Sequence, residues 1–275
     1  MPPHTPRNRP GCTCHPGLPA ASSPPSPFPP SPFPSGPFPP RAAGGLAPRG
    51  LLAATAGLVA GALPGRPRAA GAMPQTSLTA QQALELMKQG NDQFRTDAPY
   101  RSAQGREDRV KLAVGQAPFC VLVGCSDSRV SPELLFGRGL GELFIVRNAG
   151  NTVDTAALGS IEYGVGVLGC PLVVVLGHES CGAVAAALEV VARNATFPGV
   201  IGEMVQPIIP AILAARAADG TVGLDAAVEA NARRVAARLK TQSPVLQAAS
   251  HSGRLKIVAA RYDLDDGDVS WFEDL

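Results

Sequence analysis

The chain has 275 residues, a formal net charge of +2 at pH 7 and a hydrophobic fraction of 45%. This length and apolar content are typical of a globular protein, and the near-neutral charge excludes the clustered basic face of a nucleic-acid binder. A small neutral or anionic substrate fits this balance better than a polyanion does.

Residues 1–48 are predicted to form a disordered, proline-rich tail. The stretch 16–40 repeats Ser-Pro-Phe-Pro and similar units, which favour extended polyproline conformers and cannot bury a core. Cys12-Thr13-Cys14-His15 resembles a set of metal ligands, but no partner elements accompany it, so we interpret it as part of the tail. A translation start downstream of Met1 is a second explanation of this segment.

Residues 49–72 are predicted to be either an export signal or an alanine-rich linker. Arg49 precedes the apolar run 51–63, and Ala70-Gly71-Ala72 matches a small-residue cleavage site. The run is too short to cross a bilayer, so no membrane span is expected. Cleavage near Ala72 would give a periplasmic or exported protein, whereas a linker would leave it in the cytoplasm.

The catalytic domain is predicted over residues 73–275, where helices alternate with short apolar strands. Thr79 is positioned to cap a first helix, and Asp265-Asp266-Gly267 predicts a hairpin turn. The apolar positions of the first helix are Ala83, Leu84, Met87 and Phe94. The other predicted helices span 106–114, 155–167, 183–192, 204–218 and 224–239. The predicted strands span 119–124, 143–146, 172–176, 256–262 and 269–272.

This alternation predicts an α/β fold with a mostly parallel central sheet, flanking helices and an antiparallel edge strand at the C-terminus. Sites in such sheets form beyond the carboxyl ends of the strands. Two of the predicted strands end in polar turns, Gly124-Cys125-Ser126-Asp127-Ser128-Arg129 and Gly177-His178-Glu179-Ser180-Cys181-Gly182. Both turns are therefore expected at the same edge of the sheet.

Three side chains in these turns form a candidate zinc site. His178 and Cys181 are three residues apart at a strand-to-helix junction, and Cys125 follows the other strand. Histidine nitrogen and cysteine thiolate are preferred zinc ligands, and three protein ligands leave the open position that a catalytic zinc requires. Cys120 and Cys170 have no ligand-spaced partners and are expected in the core.

Two roles are open to Asp127, which lies two residues after Cys125. It can ligate zinc itself, which would close the site. Alternatively it can pair with Arg129 and accept a hydrogen bond from a zinc-bound hydroxide, fixing its orientation. The two roles predict an inactive and an active arrangement of the same residue.

Three other features are interpreted as structural. Residues 164–169 spell G-x-G-x-x-G, but they end a helix instead of opening one, as a dinucleotide site would require. Ser180 lacks the G-x-S-x-G context of a hydrolase nucleophile, because position 178 is histidine. His251 lies near a helix end and is expected to be exposed.

At these residues the chain resembles the β-class carbonic anhydrases. The matching motifs are Cys125-Ser126-Asp127-Ser128-Arg129, His178-Glu179-Ser180-Cys181-Gly182, Gly90-Asn91-Asp92-Gln93-Phe94 and Arg147-Asn148-Ala149-Gly150-Asn151. The resemblance covers about residues 78–275. It implies an α/β fold, one zinc ion per subunit, reversible hydration of carbon dioxide to bicarbonate, and a homodimer or tetramer with its sites at the subunit interface.

The resemblance also implies three substrate-binding residues, Gln116, Phe144 and Tyr163, which in the family reach in from the neighbouring subunit. One position departs from the pattern of some members. Leu122 stands where those members have a tryptophan in a second, inhibitory bicarbonate pocket, to which Arg147 would correspond. Without the tryptophan we expect no such pocket, and Asp127 paired with Arg129 at neutral pH.

Two other functions remain open on the same residues. A hydroxide on zinc can also attack carbonyl sulfide or carbon disulfide, as in some relatives. A non-catalytic zinc protein is the second alternative, although such a site has no use for Asp127, Arg129 and Gln116.

Overall fold

The computed structural model describes residues 74–98, 105–217 and 219–274. The predicted tail over 1–48 and the predicted export signal or linker over 49–72 lie outside these residues. The described residues form a five-stranded sheet in the order β2-β1-β3-β4-β5. The strands are β1 (Cys120–Gly124), β2 (Leu143–Arg147), β3 (Leu172–His178), β4 (Lys256–Tyr262) and β5 (Val269–Phe272).

The sheet confirms the predicted architecture. Strands β1 to β4 pair in parallel, and β5 runs antiparallel to β4 after a turn in which Gly267 has φ 77°. A positive φ is readily adopted only by glycine, which explains Gly267 in this hairpin. Every residue of β1 and β3 is buried, as expected for strands covered on both faces.

Helices cover both faces of the sheet. Thr79 caps the first helix through a capping box with Gln82, as the sequence predicted for Thr79. The helices are α1 (Ala80–Arg95), α2 (Arg106–Leu112), α3 (Pro132–Leu135), α4 (Thr155–Gly166), α5 (Gly182–Arg193), α6 (Ile201–Val205), α7 (Ile209–Ala214), α8 (Leu224–Gln242) and α9 (Pro244–His251). Within the described ranges, no helix is long and apolar enough to cross a membrane.

The prediction of one helix over 204–218 is wrong. The chain forms α6, a 3₁₀ turn at Gln206–Ile208 and α7 instead. Pro207 and Pro210 lack the amide hydrogen that a continuous helix needs, and their rings clash with the preceding turn. Phe94, the last of the four apolar positions named for α1, is 38% exposed and packs near the turn at Gly267.

The core divides at the sheet because alternate strand residues point to opposite faces. One cluster contains Val121 and Val173 and is closed by α4, α8 and α9. The other contains Leu122 and Val174 and is closed by α1 and α3. A third cluster joins the carboxyl ends of β1 and β3 to α5, α7 and α8. The predicted burial of Cys120 and Cys170 is confirmed.

Candidate metal centre

The two polar turns lie side by side, as predicted. Strands β1 and β3 are parallel neighbours in which Gly124 is opposite Leu176. The loops that follow the two strands therefore begin side by side, at the carboxyl ends of the strands. The turn after β3 is tight, with Ser180 in a left-handed conformation at φ 54°, and Cys181 then occupies the N-cap position of α5. This geometry directs the side chains before and after the turn toward the end of β1.

Cys125, His178 and Cys181 form a buried cluster whose ligand atoms lie within 4.8 Å of one another. A zinc ion with bonds of about 2.0–2.3 Å fits between sulfur and nitrogen atoms at this spacing. The donor types match a zinc site and leave one coordination position without a protein ligand. The residues present therefore fit the metal that the sequence predicted.

The imidazole of His178 is oriented as a metal ligand. Its Nδ1 lies 2.8 Å from the carbonyl oxygen of Glu179, which can only accept, so Nδ1 carries the hydrogen. Its Nε2 is buried and has no hydrogen-bond partner among the described residues. Metal-binding histidines are held in this way by a second partner, and a metal ion would satisfy the free nitrogen.

The contact between the two thiols shifts their pKa values in opposite directions. The contact with the Cys181 thiol lowers the pKa of Cys125 to about 4, and the Gly150 amide contributes in the same direction. The same contact, together with burial, raises the pKa of Cys181. The Gly150 amide donates to Cys125 Sγ over 3.2 Å. Because the thiolate is the zinc ligand, a bound cation would displace the thiol protons of both cysteines.

Asp127 lies beside the cluster and pairs with Arg129. The Arg129 Nε donates to Asp127 Oδ1 over 3.0 Å, Nη2 donates to Oδ2 over 2.8 Å, and the Arg129 amide donates to Oδ1 over 2.9 Å. These bonds hold the pKa of the Asp127 carboxyl well below its usual range. Asp127 Oδ2 is 3.8 Å from His178 Nε2. The carboxylate is thus in the paired arrangement, next to the ligand atoms.

Arg147 supports this loop from the neighbouring strand, a role that sequence reasoning missed. Its Nε donates to the Cys125 carbonyl and its Nη2 to the Asp127 carbonyl, each over 2.7 Å. Arg147 is opposite Gly124 in the β1–β2 register, which is the signal that could have revealed the contact. Leu122 is fully buried in the core on the α1 face.

The three predicted substrate residues are not at the ligand cluster of their own subunit. Gln116 precedes β1, whereas Cys125 follows it, so the two lie beyond opposite ends of the strand. Phe144 and Tyr163 contact each other, with ring centroids 6.1 Å apart. Phe144 is opposite Val121, four residues before Cys125, which corresponds to roughly 13 Å along a strand.

A parallel sheet whose strand ends hold a Cys-His-Cys cluster with an adjacent carboxylate defines a zinc enzyme with an open coordination position. A family model described as carbonic anhydrase matches residues 120–269. The chain belongs to the β-carbonic anhydrase family. It is a zinc-dependent enzyme for the reversible hydration of carbon dioxide to bicarbonate.

Individual relatives agree with this assignment. Carbonic anhydrase 2 of Mycobacterium tuberculosis is 42% identical over 196 residues, covering 71% of this chain and 93% of the relative. A β-carbonic anhydrase structure from Aspergillus fumigatus aligns with TM-score 0.53 and 28% identity, covering 70% of this chain and 90% of the other. A tetrameric β-carbonic anhydrase of Sordaria macrospora aligns with TM-score 0.51 and 27% identity, covering 59% and 84%.

Proposed function

We propose that Asp127, held by Arg129, orients the nucleophile that attacks carbon dioxide at the Cys125-His178-Cys181 centre. The observation that carries this proposal is the position of the Asp127 carboxylate, bonded three times by Arg129 and 3.8 Å from the ligand atom of His178. A structural zinc site is closed by four protein ligands and has no need of such a pair.

Each residue has a distinct part in this chemistry. Zinc, when bound, supplies a Lewis acid that makes a hydroxide nucleophile available near neutral pH. Asp127 is ionised and therefore only accepts hydrogen bonds, so it selects one orientation of the nucleophile's O–H. The Arg129 guanidinium donates to both oxygens of the Asp127 carboxylate and so fixes its orientation. It also donates to the Ser180 carbonyl over 3.3 Å, which links the two turns.

Gln116, Phe144 and Tyr163 are proposed to complete the site of a neighbouring subunit in a homodimer or tetramer. Their distance from Cys125 within the subunit supports this, as does the exposure of Tyr163 and of Val167, one turn further along the chain, at 43% and 46%. The Gln116 amide would hydrogen-bond the substrate, and the two rings would form an apolar wall suited to carbon dioxide.

A stopped-flow assay of carbon dioxide hydration by the zinc-loaded protein tests the function. We expect activity in the wild type and a loss of about 100-fold or more in kcat for Asp127→Ala, with an unchanged zinc content. Absence of hydration in fully zinc-loaded wild-type protein would contradict the proposal and favour a non-catalytic zinc protein. Parallel assays with carbonyl sulfide and carbon disulfide would reveal a preference for those substrates.

The cellular location depends on residues 49–72. Cleavage near Ala72 would give a periplasmic or exported enzyme, and an uncleaved chain would be cytoplasmic. N-terminal sequencing of the mature protein distinguishes the two and also identifies the translation start.

A further inference from the structure

A chain of hydrogen bonds connects helix α8 to the zinc ligand Cys125. The side-chain Nδ2 of Asn231 donates to the Gly150 carbonyl oxygen over 2.9 Å, and the Gly150 amide donates to Cys125 Sγ over 3.2 Å. Asn231 is 1% exposed and Cys125 is 5% exposed, so neither bond competes strongly with bulk water. A buried asparagine thus acts on the metal ligand through a single intervening residue.

The conformation of Gly150 couples these two bonds. Gly150 lies in the 3₁₀ turn Ala149–Asn151 with φ 68° and ψ 25°. Its amide and its carbonyl flank the same Cα, so fixing the direction of the carbonyl also restricts the direction of the amide. A Cβ at this position would come within 2.8 Å of Ile208 and 3.0 Å of Ala183. The turn therefore requires glycine at position 150, and the Asn231 side chain fixes the direction of its carbonyl.

Helix α8 is a rigid support for that group. One turn before Asn231, Val228 packs so closely on β3 that a Cβ added at Gly177 would come within 2.9 Å of its side chain. Val228 and Ala232 are both fully or almost fully buried. The Asn231 amide is therefore presented to Gly150 from a helix that cannot easily shift relative to the strand carrying His178.

We propose that Asn231 is a positioning residue of the zinc centre: it holds the Gly150 carbonyl so that the Gly150 amide donates to the Cys125 sulfur. A hydrogen bond to a ligand sulfur withdraws electron density from it, and such outer partners orient and tune metal ligands. Asn231 thereby influences how strongly, and in which orientation, Cys125 binds zinc. This inference rests on the zinc centre proposed above.

A purely structural role for Asn231 makes a different prediction. If its amide only satisfies a buried carbonyl, its loss would lower stability without changing the metal environment. The informative variant is Asn231→Leu, which keeps the number and branching of the side-chain heavy atoms but cannot donate. The matched control is Leu239→Ala, two turns further along α8, which removes a fully buried side chain distant from Gly150. Thermal unfolding of both variants measures the general loss of stability.

Two readouts report on the metal ligand itself. Chelator competition should give about 10- to 100-fold weaker zinc binding for Asn231→Leu than for the wild type. In cobalt-substituted protein, the sulfur-to-cobalt charge-transfer band should move to longer wavelength, because a sulfur without its N–H donor gives up electrons more easily. Leu239→Ala should be less stable but should retain the wild-type band and zinc affinity. Wild-type affinity and an unshifted band in Asn231→Leu, or equal changes in Leu239→Ala, would overturn the proposal.

A second measurement applies if Asn231→Leu does not fold. In protein loaded with ¹¹³Cd, the Gly150 amide proton should show a scalar coupling to the metal across the bond to Cys125. This coupling should be weaker or absent in Asn231→Ser, and an undiminished coupling there would contradict the role of Asn231. The wild-type hydration assay distinguishes the two proposals. An inactive, zinc-loaded wild type contradicts the proposed function. An active wild type, together with Asn231 variants whose zinc affinity, charge-transfer band and scalar coupling are unchanged, contradicts only this inference.

Discussion

Two arginines determine the geometry of the loop after β1. Arg129 bonds the Asp127 side chain, and Arg147 bonds the carbonyls of Cys125 and Asp127. The planar guanidinium group suits both tasks because its N–H groups have fixed relative directions, which a lysine ammonium does not provide. The position of the Asp127 carboxylate therefore depends on the direction of hydrogen bonds as well as on charge.

We expect Arg129→Lys to lose most of the activity even though it keeps the positive charge. Lysine cannot bond both carboxylate oxygens from a planar fork, so the carboxylate can rotate relative to the metal centre. We expect kcat to fall about 10- to 100-fold while zinc content stays unchanged. Stopped-flow hydration with metal analysis checks both values. A variant with wild-type kcat would show that charge alone is sufficient at this position.

Gly150→Ala should destabilise the protein, whereas Gly202→Ala should not. Alanine at position 150 would combine a left-handed backbone with contacts below 3 Å to Ile208, and the strained backbone alone costs about 1–3 kcal/mol. A Cβ at Gly202, in α6, meets only the Phe197 carbonyl oxygen, at 4.0 Å, so alanine there should be neutral or stabilising by up to about 1 kcal/mol. Denaturant unfolding of both variants measures the difference. Equal free energies of unfolding would show that alanine is not strained at position 150.

At the scale of elements, the features that sequence could predict are local. The runs before Cys125 and before His178 are continuously apolar, so the strands and the polar turns at their ends follow from the pattern. Parallel neighbours then bring Cys125 and His178 to one edge. The zinc ligands were predictable because each lies next to a recognisable strand end.

The features that sequence could not predict depend on packing between distant elements. Asn231 reaches Gly150, 81 residues earlier, only because α8 packs against β3. Arg147 reaches the Cys125 carbonyl because of the β1–β2 register. The break between α6 and α7 is different, because Pro207 and Pro210 are local signals in the sequence that interrupt the helix.

The pH dependence of stability should include a contribution from Glu273, which joins the segment after β5 to α1 and β4. Hydrogen bonds from Lys256 and Lys88 hold the pKa of Glu273 below its usual value of 4.5. A depressed folded-state pKa contributes stability above the unfolded-state value, and this contribution is lost as pH falls through the folded-state value.

We therefore expect wild type to be more stable than Glu273→Gln at pH 7 and the difference to disappear as pH falls through the lowered pKa of Glu273. The side chain is 36% exposed, so solvent screening should keep the difference under about 1 kcal/mol. Urea unfolding at a series of pH values measures it. A difference that stayed constant from pH 7 to pH 3 would show that the ion pairs are not its source.

At the scale of the whole molecule, the zinc ligands and the proposed substrate residue Gln116 lie at opposite ends of β1 within one subunit. Gln116 lies at the amino end of β1, and the ligands lie at the carboxyl ends of β1 and β3. A two-fold symmetric pair can bring the amino end of one β1 toward the carboxyl end of the other, since each surface then serves its partner in the same way. Activity should accordingly belong to the pair of subunits.

Subunit mixing tests this directly. Cys181→Ala removes a zinc ligand, and Gln116→Ala removes the proposed substrate contact, so each variant alone should be nearly inactive. After dissociation and reassociation of an equal mixture, about half of the pairs should be mixed, and each mixed pair should have one intact site. The activity should then recover to about a quarter of the wild-type value. If Gln116 served its own subunit, both sites of every mixed pair would carry a defect, and the mixture would remain as inactive as its components.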